Sequence, residues 1–154
     1  MRLGIIGNGA IAGYVCNKAL ENGHVIAAVL LRPERLEGRI EAPRGALLVD
    51  KAKDLPNDLD HVVDCAGHAA LRSHGPDILR SGLDLTTVSL GALADADLFK
   101  CLENAATAGG AKLHLASGAI GALDCLRAAR IGKLLSVTYT GRKPPQGWKG
   151  SLAE

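Results

Sequence analysis

Short, almost unbroken apolar runs alternate with longer amphipathic stretches along this chain. The runs are RLGII (2–6), VIAAVLL (25–31), ALLV (46–49), HVVDCAG (61–67), LDLTTVSL (83–90) and AKLHLAS (111–117). Apolar runs of this length fit strands buried on both faces, as in a parallel sheet. Between them the apolar period changes to that of a helix. Ile11, Val15, Cys16, Ala19 and Leu20 share one side of a helix over 11–22, which Gly23 stops. A second helix is predicted over 69–80, kinked or divided at Pro76. A third covers 92–110, with Asp95 as its cap and Gly109–Gly110 as its stop. Residues 32–45 are polar with two prolines, which predicts a loop or a short helix, and 119–132 reads as a further helix. Six strands with mostly helical crossovers predict an α/β fold with a doubly wound parallel sheet.

The segment LLSVTYTGRK (134–143) breaks this pattern. Val137 and Tyr139 alternate with Ser136, Thr138 and Thr140, as in a half-buried antiparallel strand. Residues 1–118 are therefore expected to form one domain. Residues 119–154 are expected to supply a linking helix and the first strand of an incomplete second α/β domain.

Composition narrows the function classes. The chain has 154 residues, 47% of them hydrophobic and only 3% aromatic, with 19 glycines. Few aromatics count against a nucleic-acid binder that works by stacking, and a net charge of +2 is too mild to indicate a polyanionic partner. No nucleic acid is expected. No apolar run reaches the length of a membrane span, and no charged and apolar leader opens the chain; no membrane association and a cytoplasmic location are expected. The four cysteines, Cys16, Cys65, Cys101 and Cys125, show no zinc spacing. They read as buried free thiols, and no metal is expected.

The chemistry centres on GNGAIA, residues 7–12, between the first strand and the first helix. This is the G-x-G-x-x-(G/A) turn of a Rossmann-type dinucleotide site. Gly7 permits the tight turn, Gly9 the approach of a pyrophosphate, and Ala12 close packing of helix on strand. Asn8, Ala10 and Ile11 complete the turn, where free N–H groups and the helix dipole favour phosphate. At the end of the second strand, where NAD sites usually place Asp or Glu, stands Leu31, followed by Arg32. An arginine there can pair with a 2′-phosphate, so NADP is mildly favoured over NAD, although Glu34 is within reach of a ribose and Arg32 also reads as a solvated strand end.

Small residues recur at the carboxyl ends of three further strands: Cys65-Ala66-Gly67-His68, Ser89-Leu90-Gly91-Ala92 and Ala116-Ser117-Gly118-Ala119. A ligand in such a sheet sits outside those ends. Cys65, Ala66, Gly67, His68, Ser89 and Ala119 therefore join the candidate cofactor contacts. Of the five histidines only His68 lies on such a loop, as a loop or cofactor contact rather than a proton carrier. His114, inside a strand, is expected to be buried. No nucleophile–base pair or carboxylate pair is visible, so no catalytic residue is assigned.

GNGAIA, CAGHAAL, TTVSLGALAD, LASGAIGALDCLRAARIG and VTYTGRKPPQGWKG together resemble the L-aspartate dehydrogenase family, from residue 2 to the end of the chain. The resemblance implies a Rossmann domain followed by a second α/β domain that mediates dimer contact. It implies NAD(P)-dependent oxidation of L-aspartate to iminoaspartate, which is hydrolysed to oxaloacetate and ammonia or passed toward quinolinate in NAD biosynthesis. It also implies cofactor contacts at the glycine turn, the Cys65–His68 loop and Ala119. The family's catalytic histidine and most of its aspartate-binding groups are expected beyond Glu154, so that this chain would supply the cofactor-binding part of a homodimeric enzyme and be inactive alone. Two other readings stay open: a non-catalytic NAD(P)-binding or redox-sensing module, and an oxidoreductase of the same fold acting on another amino-acid-like substrate.

Overall fold

The computed structural model describes residues 1–36, 43, 45–117, 123–138, 140–142 and 144–147. Two compact units divide the chain, Met1–Ala119 and Ile120–Glu154.

In the first unit every apolar run contributes a strand: β1 (Arg2–Ile6), β2 (Val25–Leu30), β3 (Leu47–Val49), β4 (His61–Asp64), β5 (Leu85–Thr87) and β6 (Leu113–Leu115). All pairs are parallel, in the order β3-β2-β1-β4-β5-β6. That is the doubly wound Rossmann order, and it reverses between β1 and β4. The expected fold class is thus the observed one. Helices α1 (Ala10–Glu21), α2 (Pro33–Leu36), α3 (His68–Arg80) and α4 (Ala96–Gly109) lie in four of the five crossovers, and a 3-10 turn, Ala52–Asp54, in the one from β3 to β4.

Successive residues of a strand face opposite sides of the sheet, and the core is accordingly split in two. On one side Leu3, Ile5 and Val29 meet Ala12, Cys16 and Ala19 of α1. On the other, Ile6, Leu30, Val62 and Leu85 meet Leu71, Ile78 and Leu79 of α3 and Leu98 and Leu102 of α4. Gly75 brings α3 and α4 together: a Cβ there would come within 2.9 Å of Leu102 and 3.0 Å of Leu71. Helix α3 runs as one element through the buried Pro76 rather than as two pieces. Helix α4 begins later than its apolar pattern, because a 3-10 turn, Leu90–Ala94, precedes it. Asp95 is its cap, the carboxylate accepting from the N–H groups of Asp97 (3.0 Å) and Leu98 (3.1 Å).

Residues 33–36 take the short-helix option within the polar stretch after β2. His114 is exposed, contrary to expectation, because the face of β6 that carries it lies away from α3 and α4. The thiols are all free, but Cys125 is exposed and Cys101 half-buried, so burial holds fully for Cys16 alone. None of the described helices is long and apolar enough to cross a membrane.

In the second unit, α5 spans Leu123–Ala129 within the predicted helix. Of the expected seventh strand, residues 134–138 pair with no strand among the described residues and are exposed; residues 139 and 143 lie outside the described residues.

Candidate functional site

The carboxyl ends of the strands lie level. Ile6 pairs with Leu30 on one side and Asp64 on the other, and Asp64 pairs with Thr87. At this edge the chain leaves β1 toward α1 and leaves β4 toward α3, opening a cleft of about 420 Å³. Gly7, Asn8 and Gly9 form one side, Leu30, Leu31, Arg32 and Arg35 the β2 rim, and Cys65, Ala66, Ala69, Ala70, Ser73 and His74 the third side.

Two backbone turns meet at the centre. The Gly7 N–H donates to the Leu30 carbonyl (2.9 Å) and the Cys65 N–H to the Ile6 carbonyl (3.0 Å). Gly7 adopts φ +100°, and a Cβ on it would approach Ala66 Cβ at 3.0 Å and the Ala66 backbone at 3.2 Å. No side chain but hydrogen fits here. Gly9 differs: its φ of −77° suits any residue, and a Cβ would meet nothing within 4 Å. The space beside it is open to a ligand.

Neither helix that starts at the cleft is capped by a side chain. Gly9 precedes α1 and Gly67, with φ +98°, precedes α3, and no acidic residue stands in the first turn of either. Their first N–H groups and positive dipole ends suit an anion, as a pyrophosphate would be. Ala12, 1% exposed, packs into the core as its small size predicts. Ala10 and Ile11 are exposed at the start of α1 and do not line the cleft.

Beneath the α3 turn lies a polar tie. Asp64, fully buried, accepts from the hydroxyls of Thr87 and Ser89 through Oδ2 (2.7 Å each) and from the Ala66 N–H through Oδ1 (3.0 Å). The Ser89 N–H in turn donates to Thr87 Oγ1 (2.9 Å). A buried carboxylate needs such donors to offset its desolvation. The tie fixes the end of β4, and so Cys65 and Ala66, against the end of β5.

Of the residues singled out in the sequence, the cleft collects Gly7, Asn8, Gly9, Arg32, Cys65 and Ala66. Ser89 is 4% exposed, with its hydroxyl committed to Asp64. Gly67 and His68 start α3 without lining the cleft, and the His68 ring sits over Gly91, where a Cβ would come within 2.8 Å of it. Ala119 lies outside the described residues. The histidine in the cleft is His74, whose pKa burial lowers against the opposing pull of Asp77, Asp50 and Asp64. Arg35 is the second cation of the β2 rim, and Glu34 is not on it.

Residues 4–116 match the family described as the NAD-binding domain of homoserine dehydrogenase. This chain belongs to that family. Within it, the chain is similar to L-aspartate dehydrogenases, as its motifs indicate. The enzyme of Ruegeria pomeroyi is 53% identical over all of this chain and 55% of its own length. That of Pseudomonas aeruginosa is 40% identical over 97% of this chain and 58% of its own. The crystal structure of aspartate dehydrogenase from Thermotoga maritima superposes with a TM-score of 0.62 at 26% identity, over 85% of this chain and 52% of that one. The chain thus spans a little over half the length of these relatives.

In this member of the family, the position after β2 where a ribose-binding acid would stand is Leu31, 3% exposed and turned into the α1-side core. Cys65, although on the cleft, is a poor nucleophile: burial first, then Asp64 and Cys16, push its thiol up to about 11. Burial raises Cys16 as well. At about pH 8 Cys65 is held as the unreactive thiol. Iodoacetamide should therefore label the exposed Cys125 at least tenfold faster than Cys65 or Cys16, as read by peptide mass spectrometry.

Proposed function

We propose that this chain is the NAD(P)-binding part of an L-aspartate dehydrogenase. The observation that carries this reading is the cleft at the β1/β4 reversal, where two uncapped helix starts and the open face of Gly9 frame a space suited to a pyrophosphate. The turn 7–9 and the starts of α1 and α3 would hold the pyrophosphate, and Arg32 with Arg35 would hold a 2′-phosphate. Gly67, His68, Ser89 and Ala119 would lie along the nicotinamide half of the site, Ser89 by fixing the loop after β5. When bound, the nicotinamide supplies a hydride acceptor at the substrate Cα.

L-Aspartate loses a hydride and its amine a proton, giving iminoaspartate, which water converts to oxaloacetate and ammonia. The group that takes the proton and those that grip the substrate carboxylates are assigned outside residues 1–154. The strong matches over the whole chain to enzymes nearly twice its length support that division. Residues 1–118 then act as the dinucleotide-binding domain and 119–154 as the passage into a second domain that pairs two subunits in the cytoplasm.

NADP is the favoured cofactor, because Leu31 removes the ribose-binding acid and two arginines take its place at the rim. Titration with NADPH and NADH, followed by nicotinamide fluorescence, should show NADPH binding more tightly. The Arg32→Ala variant should weaken NADPH about tenfold, the worth of one charge-assisted hydrogen bond, and leave NADH unchanged. Equal losses for both would remove the arginine from the 2′-phosphate. Aspartate-dependent reduction of NAD(P) by the full-length enzyme tests the reaction; cofactor binding without turnover on aspartate would favour a non-catalytic module or another substrate.

A further inference from the structure

At the opposite end of the strands from the cleft, three side chains from three successive strands converge. His61 opens β4, Asp84 immediately precedes β5, and His114 is the middle residue of β6. Val62 pairs with Leu85 and Thr86 with His114. The two-residue period of the strands then sets His61, Asp84 and His114 on one face of the sheet. His114 Nε2 lies 3.1 Å from Asp84 Oδ2, and the imidazole centroids are 5.5 Å apart. One nitrogen or oxygen from each residue falls within 4.8 Å of the other two.

Two imidazoles and one carboxylate form a donor set suited to zinc and its first-row neighbours. Ligands at about 2.0–2.2 Å from a tetrahedral ion stand roughly 3.3 Å apart. The His114–Asp84 pair, at 3.1 Å, is already close to that separation. His61 Nε2 is at present shared with Thr86 Oγ1 (2.7 Å), and a small ring rotation would exchange that hydroxyl for the ion. The carboxylate is oriented from behind, because Asp84 Oδ1 accepts the Lys112 N–H at 2.8 Å. Such outer support is what holds a metal ligand in place. Two donors stand on parallel strands and the third, Asp84, at the entry to β5 between them, which gives the set a rigid base.

We propose that His61, Asp84 and His114 form a binding site for a divalent transition cation of the zinc type, with water completing the coordination. A bound ion would tie the three-residue edge strand β6 to β4 and β5 and stabilise that side of the sheet by mass action. None of the three residues lines the cleft, so the proposal stands apart from the cofactor reading.

The test is calorimetric titration of the chelator-treated chain with zinc chloride, with thermal unfolding recorded with and without zinc. One ion per chain is expected, together with a rise in the unfolding midpoint. His114→Ala and Asp84→Asn, both at accessible positions, should each weaken zinc binding at least tenfold and abolish the rise, while NADH titration is unchanged. Cobalt substitution should give visible d–d bands without the thiolate charge-transfer band, which separates this site from one built on the free cysteines. Zinc binding that is absent, unaffected by His114→Ala, or marked by the thiolate band would overturn the proposal.

Discussion

Replacing Gly9 with alanine should leave the protein folded, slightly more stable, and unable to bind dinucleotide tightly. The backbone at Gly9 has φ −77°, within reach of any L-residue, and the added methyl would touch no protein atom. A glycine-to-alanine change at such a site gains about 0.4–1 kcal/mol by restricting the unfolded chain. The same methyl occupies the space beside the α1 start that a pyrophosphate would fill. Loss of tenfold or more in NADPH affinity, about 1.4 kcal/mol, should accompany an unchanged or higher melting temperature. Gly7→Ala gives the contrast, because φ +100° and the 3.0 Å approach to Ala66 lower stability and binding together. If Gly9→Ala binds NADPH as tightly as the parent, the pyrophosphate does not lie at this turn.

The largest loss of stability is expected from Asp64→Ala. Three donors lose their acceptor: the Thr87 and Ser89 hydroxyls, in a region closed to water, and the Ala66 N–H at the edge of the cleft. Hydrogen bonds to a charged group contribute about 1.5–3 kcal/mol each and are not additive within a network. A net cost of about 3 kcal/mol is expected, which lowers the melting temperature by about 10 °C. Because the Ala66 N–H is one of the donors, the α3 turn should loosen and NADPH affinity should fall even well below the transition. Asp64→Asn retains one acceptor oxygen and should sit between the two. Urea unfolding of the three proteins checks the order; an Asp64→Ala protein as stable as the parent would show that the tie carries no net stability.

Much of the fold was legible because strands covered on both faces must be apolar throughout, and six such runs separated by helical periods leave few arrangements. Asp95 was legible as a cap because its position just before an apolar helical pattern has a local cause. The glycine turn was legible for the same reason: its spacing answers to backbone geometry within six residues. Contacts that depend on two distant segments were not. His74 lies inside the helical stretch 69–80 with no local sign of a site, and only the packing of α3 on the sheet brings it to the cleft in place of His68. Ser89 had the look of a ligand contact because small polar residues suit both a site and a buried tie. The signal for the tie was present as a lone acid in the apolar VVDCAG and a Thr-x-Ser pattern at the next strand end, Thr87 and Ser89, but only the strand order joins them.

The two rims of the cleft answer to different constraints. Gly7 closes directly on Ala66 with φ +100° and the Asp64 tie is buried, so changes at Gly7 or in the tie cost folding before they alter recognition. Arg32 and Arg35 stand exposed around the four-residue α2, where exchange of side chains disturbs almost no packing. A lineage carrying this fold could therefore trade one dinucleotide for the other through residues 32–35 alone, at little risk to the protein, while the phosphate turn stayed fixed. Cofactor preference would be the evolvable property of this domain and cofactor binding the conserved one.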